Sequence, residues 1–493
     1  MADHGSTSAD IIVAGQQRPG RGPTLPSLNP ATGRVAAQVT TASVEDVDEA
    51  VAGGEAAMRD PAWRDLLPHE RARLLHRAGQ LLQEESESIA RLQTQDNGKP
   101  ITETRALVAS AAGTFRYVAA ALETLDEALP TARGPYLSMS VYEPIGPVAA
   151  ITPWNSPIAS EAQKAAPALA AGNAVLIKPA EWSPLAALRL GEVLLRAGIP
   201  PGLVSVLPGS GPVVGEALVR HPGIRKVSFT GGTTTGRRIG AIAAEKMMPV
   251  SLELGGKSPT IVLPDADLDL AVRGVLFGIF SSQGQACVAG SRLFVHRSVH
   301  DEFVARIVEA AERLVIGDPT AEGTHMGPLI SDSHRTKVES YVHLAADEGG
   351  RIRTGGGRPS GGALSDGYYY LPTVITGLDP ASRVCQEEIF GPVLVALPYD
   401  DEAELTALAN ATPYGLACGI WSRDYRRAWR LARRVEAGTV WINTYKQLSV
   451  ATPFGGVKDS GLGREKGREG IRAFMSQKGI YWGLDETPLP WGD

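Results

Sequence analysis

The chain has 493 residues, among them 55 glycines, 35 prolines and only three cysteines. This length predicts two or three domains and a sizeable core. The formal net charge is −6, and because both signs are scattered along the chain, the composition argues against a nucleic-acid partner. Cys287, Cys385 and Cys418 lie too far apart for a disulfide framework or a CxxC metal site. We therefore expect no bound metal, a reducing cytoplasm as the location, and at least one reactive thiol.

Two long uncharged runs need to be distinguished from membrane spans. Pro144–Ser160 contains four prolines, and Gly274–Ser291 carries polar residues in its middle. A membrane-spanning helix needs about 20 mainly apolar residues, and the first ten residues lack the basic start and apolar centre of a signal peptide. The sequence therefore predicts a protein without a membrane partner, in which both runs are buried.

The first part of the chain changes from irregular to helical. Residues 1–30 are rich in glycine and proline, which predicts a loose lead-in with some extended segments. From Val44 to about Asp126 the pattern is helical, as in the apolar spacing of Leu74, Ala78 and Leu82. Tyr136–Tyr142 then resembles a strand, which periodicity alone does not place in a sheet.

From Pro147 to about Leu263, short apolar runs alternate with helical stretches. The predicted strands are Val148–Ile151, Ala174–Ile177, Val204–Leu207, Val227–Phe229, Val250–Leu254 and Thr260–Leu263. This alternation predicts βαβ units and a parallel sheet, with a ligand at the carboxyl ends of the strands. A second α/β series is predicted between Asp267 and Ile442. Its helices are expected near Val299–Leu314, Ser333–Asp347 and Asp424–Glu436, and Gly349–Gly362 is expected to be a loop.

Two short motifs do not support the function they superficially suggest. The GKS at 256–258 resembles the end of a phosphate-binding P-loop, but Ser251 stands where that motif needs glycine and Pro259 would break its helix. His296 and His300 have an HxxxH spacing, but no glutamate follows His296 and no third metal ligand is apparent. We interpret these histidines as surface or capping residues.

Glycines follow two of the predicted strands. Gly211 and Gly215 belong to a GxGxxxG segment, which taken alone is a turn more often than a cofactor loop. Gly231 and Gly232 follow the next strand and open a predicted helix, whose first N–H groups could hold a pyrophosphate. Two such units in succession favour a cofactor site over simple turns.

Several longer motifs resemble those of the NAD(P)-dependent aldehyde dehydrogenase superfamily. Cys287 lies in FSSQGQACVAGSR (280–292), which is similar to the family's active-site cysteine motif, and LELGGKSP (252–259) resembles its catalytic glutamate motif. The other matching segments, in the family's order, are NPATG (29–33), PWNSP (153–157), KPAEWSP (178–184), EEIFGPV (387–393) and PFGGVKDSGLGREKG (453–467). The resemblance spans about 29–470, nearly the whole chain.

The resemblance implies an α/β fold with a Rossmann-type cofactor domain, an α/β catalytic domain and a β oligomerisation arm. Residues 1–126 and 146–254 would form the NAD-binding domain, and residues 255–459 the catalytic domain. Residues 127–145 and 460–493 would form the arm, which pairs with a neighbouring subunit in a homodimer or a homotetramer. The Tyr136–Tyr142 strand would belong to this arm.

The resemblance also implies roles for three side chains. The Cys287 thiolate would attack the aldehyde to give a thiohemiacetal and then a thioester, since a thiolate is a good nucleophile. Asn155 would donate a hydrogen bond to the developing oxyanion, and Glu253 would activate the water that hydrolyses the thioester. On the residues alone, Cys287 could be an inert buried thiol, Asn155 a helix N-cap and Glu253 a salt-bridged strand end. Cys385 and Cys418 are interpreted as packing residues.

NAD is the implied cofactor. Its implied contacts are Trp154, Lys178, Glu181, Gly211, Gly215, Gly231, Gly232, Glu388 and Phe390. A carboxylate at position 181 favours NAD because it would repel the 2′-phosphate of NADP, although NADP stays open.

The substrate would be a small aldehyde whose identity the sequence defines only loosely. If Asn155 begins a helix, Ala159 and Gln163 follow it on the same face. The candidate pocket residues are Ser156, Ala159, Gln163, Lys446 and Phe454. Their polarity predicts tolerance of polar or oxygenated aldehydes, with an acidic group near Lys446 as one option. A non-catalytic structural or binding member of the superfamily is the alternative, but the presence of Cys287, Glu253 and Asn155 together favours an enzyme.

Overall fold

The computed structural model describes residues 7–485, and its N-terminal segment is more ordered than the composition predicts. Its strands are β1 (Thr7–Ala9), β2 (Ile11–Val13), β3 (Gln16–Arg18), β4 (Thr24–Leu28) and β5 (Val35–Thr40). Ile11 and Ile12 are buried, and β2 pairs antiparallel with a later strand, Val204–Val206, in an eight-stranded sheet. The predicted extended segments are therefore confirmed, whereas the predicted looseness is wrong from residue 7 onward, because these apolar side chains pack within a sheet. Residues 1–6 lie outside the described part.

The predicted helical region is confirmed. Its helices are α1 (Val44–Arg59), α2 (Pro61–Arg64), α3 (Pro68–Glu84), α4 (Ser86–Asn97) and α5 (Ile101–Leu122). Helix α1 begins with a capping box in which the Ser43 hydroxyl accepts from the Asp46 N–H and the Asp46 carboxylate accepts from the Ser43 N–H. The apolar stripe of α3, including Ala78 and Leu82, packs on α5.

The alternating region forms the parallel part of an eight-stranded sheet. Strand β6 (Tyr136–Pro144) precedes this region and lies in a separate two-stranded sheet. The elements of the region are β7 (Val148–Ile151), α6 (Pro157–Ala170), β8 (Val175–Lys178), α7 (Leu185–Arg196), β9 (Val204–Val206), α8 (Glu216–Arg220), β10 (Lys226–Thr230), α9 (Thr233–Glu245) and β11 (Val250–Glu253). Strands β11, β10, β7, β8 and β9 are parallel neighbours in that order, and β2 and β3 extend the sheet antiparallel beyond β9. The predicted βαβ alternation is thus confirmed as far as β11. The predicted strand Thr260–Leu263 instead belongs to the second sheet, because it pairs with the strands at 292–296 and 417–421.

The second α/β series forms a seven-stranded sheet. Its elements are β12 (Pro259–Val262), α10 (Leu268–Phe280), β13 (Arg292–His296), α11 (His300–Glu312), α12 (Asp332–Asp347), β14 (Arg351–Thr354), β15 (Thr373–Thr376), α13 (Arg383–Gln386), β16 (Val393–Tyr399), α14 (Glu402–Asn410), β17 (Tyr414–Gly415), β18 (Ala417–Trp421), α15 (Tyr425–Ala432) and β19 (Thr439–Ile442). The strand order is β14-β15-β16-β13-β12-β18-β19. The prediction of a loop throughout Gly349–Gly362 is wrong, because β14 pairs antiparallel with β15 at the sheet edge.

The C-terminal segment adds a strand to the eight-stranded sheet and then pairs with β6. Its elements are β20 (Val457–Lys458), β21 (Gly461–Leu462), α16 (Gly467–Arg472) and β22 (Met475–Gly483). Strand β21 pairs antiparallel with β11, and β22 pairs with β6 over nine residue pairs. The predicted Tyr136–Tyr142 strand is confirmed, whereas the division into domains stays a prediction. Within residues 7–485, no helix combines the length and the apolar character needed to cross a bilayer.

Short helical turns complete the described chain. Turns of 3-10 helix occur at Pro201–Leu203, Ser281–Gly284, Arg297–Val299 and Gly362–Ser365, and a π-helical turn at Gly211–Gly215.

Candidate active site

A cavity of about 650 Å³ opens at the carboxyl ends of the parallel strands of the eight-stranded sheet, which we call the cofactor sheet. Side chains that lie at or just after the ends of β7, β8, β10 and β11 line it, which is where parallel α/β sheets bind ligands. All nine residues predicted to contact a cofactor line this cavity: Trp154, Lys178, Glu181, Gly211, Gly215, Gly231, Gly232, Glu388 and Phe390. Asn155 and Cys287 line it as well.

Lys178 and Glu181 lie at one end of the cavity. Glu181 is held by the backbone, since its Oε1 accepts a hydrogen bond from the Gly211 N–H at 2.8 Å. The Lys178 ammonium is buried and donates to the Pro179 carbonyl at 3.0 Å. Burial lowers its pKa to about 8, and Glu181 partly offsets this effect. A polar ligand group thus meets both a carboxylate and an ammonium in fixed positions.

The Gly231-Gly232 turn presents the start of helix α9 to the cavity. Gly232 is the N-cap residue, and the turn is confirmed as the beginning of a helix of 13 residues. A Cβ on Gly231 would lie 2.4 Å from the Phe229 ring, so only glycine fits there. A Cβ on Gly232 would meet nothing within 4 Å, which leaves the helix start open for an anionic group.

Glu388 and Phe390 come from the loop after α13 in the second sheet region. Burial raises the pKa of Glu388, and its Oε1 accepts a hydrogen bond from the Gly256 N–H at 2.9 Å. A Cβ on Gly255 would lie 2.3 Å from Glu388 Oε2, so a side chain at this position would displace the Glu388 carboxylate. Phe390 has a φ of 62° and packs edge-on against the Trp154 ring, with centroids 5.2 Å apart.

The structure adds cavity residues that the sequence analysis missed, notably His334 and Lys337 on α12. The His334 ring packs against Trp154, and its Nε2 forms a hydrogen bond with the Phe390 carbonyl oxygen at 2.7 Å. Burial lowers the pKa of His334 to about 4, so the ring is neutral at neutral pH. No local motif marks α12. The neighbouring Trp182, by contrast, stands inside the KPAEWSP segment and could have been found there.

Cys287 follows a strained turn and reaches the cavity half-buried. Ser282 and Gln283 in that turn have φ values of 57° and 56°, an uncommon backbone region for residues other than glycine. Burial, followed by the negative charges of Glu388 and Glu253, raises the pKa of the thiol to about 12, while Lys446 acts in the opposite direction. The resting thiol is therefore protonated, and it must lose its proton before or during attack on a carbonyl carbon.

The Asn155 side chain is oriented by the same segment that carries the thiol. Its Nδ2 donates to the Gln285 carbonyl at 2.9 Å, so it is not a helix N-cap. Helix α6 begins at Pro157 with Ser156 as N-cap, so the premise that Asn155 begins the helix is wrong by two residues. The proline at the first helical position explains the difference.

Glu253 is buried at the end of β11 and has an unusual environment. It is 4% exposed, and neither carboxylate oxygen has a hydrogen-bond partner in the described chain. Burial and the nearby Glu465 raise its pKa well above the ordinary value. Glu465 in turn is paired with Lys164, and its own pKa is lowered. The alternative prediction, a salt-bridged Glu253, is therefore wrong for residues 7–485, where this carboxylate has no cationic partner.

The five predicted substrate residues divide into two groups. Ser156, Ala159 and Gln163 lie in or next to the first turns of α6, half-buried, and the Gln163 amide donates to Glu465. Phe454 belongs to the apolar cluster against which Cys287 packs. Lys446 binds the turn that precedes Cys287, with 2.7 Å between its Nζ and Ser281 Oγ. Their contribution to a substrate pocket stays a prediction.

The aldehyde dehydrogenase family profile matches residues 18–480. The chain belongs to the aldehyde dehydrogenase family. The family includes a betaine aldehyde dehydrogenase of Sinorhizobium fredii, which is 42% identical over 477 residues, 95% of this chain and 96% of the relative. A betaine aldehyde dehydrogenase of Rhizobium meliloti is 40% identical and covers 95% of this chain and 96% of its own.

Solved structures of family members share the fold closely. A point mutant of betaine aldehyde dehydrogenase from Staphylococcus aureus, in complex with NAD+ and with a BME-modified cysteine, superposes with a TM-score of 0.96 at 36% identity. The alignment covers 99% of this chain and 98% of the Staphylococcus aureus chain. The NAD+ complex of an aldehyde dehydrogenase from Bacillus cereus superposes with a TM-score of 0.95 at 37% identity. The alignment covers 97% of each chain. The predicted family and fold class are confirmed.

Proposed function

We propose that this protein oxidises an aldehyde to the carboxylic acid with NAD+ through a covalent intermediate on Cys287. The observation that carries the proposal is that Cys287 and Asn155 line the same cavity as all nine predicted cofactor residues. Glu253 lies close enough to raise the pKa of the Cys287 thiol. Two of the family structures are NAD+ complexes, which supports the choice of cofactor.

The residues around the cavity fit a dinucleotide. Gly231 allows the backbone to approach, the start of α9 faces the cavity, and Glu181 and Glu388 offer carboxylates at fixed positions. Lys178 and Glu181 would hold the adenosine ribose, the Gly231-Gly232 turn the pyrophosphate, and Glu388 the nicotinamide ribose. When bound, NAD+ supplies the hydride acceptor. Trp154 and Phe390 would pack beside it and exclude water.

As the Cys287 thiol releases its proton to solvent water, attack by its sulfur converts the flat aldehyde carbon into a tetrahedral thiohemiacetal with a negatively charged oxygen. Asn155 is suited to stabilise this oxygen because its amide carries two N–H donors, and the bond to Gln285 uses only one. The main-chain N–H of Cys287 would be the second donor to the oxyanion. Loss of hydride from this carbon leaves a thioester on Cys287.

Hydrolysis of the thioester needs a base for the attacking water. Glu253 has both carboxylate oxygens free of partners in the described chain, and its raised pKa makes it a stronger base than an exposed glutamate. Water would give its proton to Glu253 and its oxygen to the acyl carbon. The carboxylic acid then leaves, and the Cys287 thiol is restored.

A panel of aldehydes, assayed with NAD+ and NADP+ in parallel for absorbance of the reduced cofactor, tests the proposal. We expect reduced cofactor and the matching carboxylic acid in equal amounts, with NAD+ preferred. If no aldehyde is oxidised while NAD+ still binds, the protein is instead a non-catalytic member of the family.

Replacing Glu181 tests the basis of the cofactor preference. Glu181→Gln keeps the hydrogen bond to the Gly211 N–H but removes the charge that repels a 2′-phosphate. We expect the kcat/KM ratio of NADP+ to NAD+ to rise about tenfold. Glu216→Gln on the same cavity wall is the matched control, and an equal change in both variants would contradict a specific role of Glu181.

The predicted domains, oligomer and location belong to the same proposal. The β6–β22 ribbon is mostly exposed in the single chain, with Tyr481 and Trp482 among the exposed aromatic residues. This supports its assignment to an arm that pairs with a second subunit in a homodimer or homotetramer, which light scattering would distinguish. All three cysteines are free thiols, as expected in the cytoplasm.

A further inference from the structure

Three lysines from separate segments act electrostatically on Cys287 and do not belong to the lining of the cofactor cavity. Lys99 precedes α5, Lys446 follows β19, and Lys466 precedes α16. Each interacts electrostatically with the Cys287 thiol. None of the three lysines lines the cofactor cavity. In the mechanism proposed above, none of the three holds the cofactor or moves a proton.

Lys446 is the best-placed of the three. Its ammonium donates to Ser281 Oγ at 2.7 Å, to the Ser281 carbonyl oxygen at 3.3 Å and to the Phe277 carbonyl oxygen at 3.4 Å. It also lies 5.7 Å from the centroid of the Phe277 ring. Both residues belong to the segment that leads into the Cys287 turn. Lys446 itself has a φ of 55°, so the chain holds this lysine in a backbone conformation that costs free energy.

Lys466, directly before α16, repeats two of these features. Its φ is 63°, and its ammonium lies 5.4 Å from the centroid of the Phe454 ring. Phe454 packs in the cluster that contacts Cys287. The Lys466 ammonium therefore lies beside the apolar wall next to the thiol, and its charge acts on both Cys287 and Glu253.

The negative charges nearby do not balance these lysines. Glu103 forms an ion pair with Lys99 at 3.6 Å and also accepts from the Ser282 N–H and hydroxyl. Glu465 is paired with Lys164, and Glu253 must be ionised to act as the base proposed above, so two carboxylates, Glu103 and Glu253, act on three lysines. Lys446 and Lys466 form no ion pair with a described residue. A surplus of partly buried ammonium groups is costly unless an anion joins them.

We propose that the physiological substrate is an aldehyde with an anionic group at its far end, held by Lys446 and Lys466 while its carbonyl meets Cys287. This rests on the proposed function and names its substrate class. The Phe454 ring would contact the carbon chain between the two polar ends. A cationic aldehyde such as betaine aldehyde would be repelled by the same two lysines.

Matched aldehydes test this assignment. 4-Oxobutanoate and 5-oxopentanoate carry a carboxylate, glyceraldehyde 3-phosphate a phosphate, butanal and pentanal no charge, and betaine aldehyde a positive charge. We expect kcat/KM to be at least about tenfold higher for one of the anionic aldehydes than for a neutral one of similar length, and lowest for betaine aldehyde. Whether the carboxylates or the phosphate are preferred identifies the anion.

Variants assign the effect to the lysines. We expect Lys446→Met to reduce the anionic-to-neutral kcat/KM ratio about 10- to 100-fold and Lys446→Glu to invert the preference. Lys458→Met is the matched control, because Lys458 has a φ of 53° and an ammonium bound to backbone carbonyls but lies near a surface turn. It should leave the ratio unchanged within about threefold.

Ionic strength provides a second measurement that needs no variant. Salt should raise KM for the preferred anionic aldehyde and leave that of the neutral aldehyde constant. Equal kcat/KM for anionic and neutral aldehydes in the wild type, or an unchanged ratio in Lys446→Glu, would overturn this inference while leaving aldehyde oxidation intact. Absence of NADH from every aldehyde would instead refute the proposed function.

Discussion

Cys287→Ala should lose NADH formation by at least about a thousandfold with every aldehyde that the wild type oxidises. Without the sulfur, no tetrahedral adduct forms, and an aldehyde carbon does not readily release hydride. NAD+ binding should persist, because the cavity walls that would hold the cofactor come from other residues. Initial-rate assays, with NAD+ affinity from fluorescence titration, measure both effects.

Cys418→Ala is an informative control for this variant. Burial raises the pKa of Cys418 to about 12, as it does for Cys287, so acidity does not separate the two thiols. Their positions separate the two thiols, because Cys418 is fully buried in β18 whereas Cys287 reaches the cavity. We expect the control to remain active and iodoacetamide to label Cys287 alone in the folded enzyme. Substantial activity in Cys287→Ala would refute the covalent mechanism.

Glu253→Gln should separate the two halves of the reaction. The thioester should still form, giving a burst of about one NADH per active site, after which steady turnover should fall about 100- to 1,000-fold. The physical reason is that the amide cannot accept the proton of the attacking water. Rapid-mixing absorbance measurements detect the burst, and intact-mass spectrometry should show the acyl group on Cys287.

The pH dependence and a nucleophile rescue sharpen this test. In the wild type, kcat should fall as the pH is lowered through the raised pKa of Glu253, since the protonated carboxyl is not a base. Glu253→Gln should lack this acidic limb. Hydroxylamine, which attacks thioesters without a general base, should restore turnover in the variant. A variant without a burst, or one that hydroxylamine does not rescue, would contradict a role confined to hydrolysis.

The cofactor side of the site could be predicted from the sequence because its signals are local. Strand, glycine turn and helix follow one another within a few residues around Gly231 and Gly232, and such turns adopt the same geometry in any parallel sheet. Glu181 and Glu388 were found through motifs rather than through physical patterns. The family resemblance therefore supplied what periodicity did not.

Other contacts depend on distant parts of the chain and could not be predicted. His334 packs on Trp154, although they are far apart in sequence and α12 carries no motif. The glycine-rich segment at 349–362 predicts a loop, but it contains β14, which pairs with the distant strand β15. The isolation of the Glu253 carboxylate was also unpredictable, because it depends on Glu465 being engaged by Lys164.

The two edges of the cofactor sheet come from opposite ends of the chain. β2 and β3 extend one edge from residues 11–18, and β21 covers β11 at the other with Gly461–Leu462. Lys466 and Glu465, beside the site, arrive with the same late segment. During synthesis on a ribosome, the sheet therefore carries an open edge, and Glu465 and Lys466 are missing from the site, until the segment at 461–466 has emerged. Premature termination anywhere before residue 461 would yield an inactive chain with a strand edge exposed to aggregation.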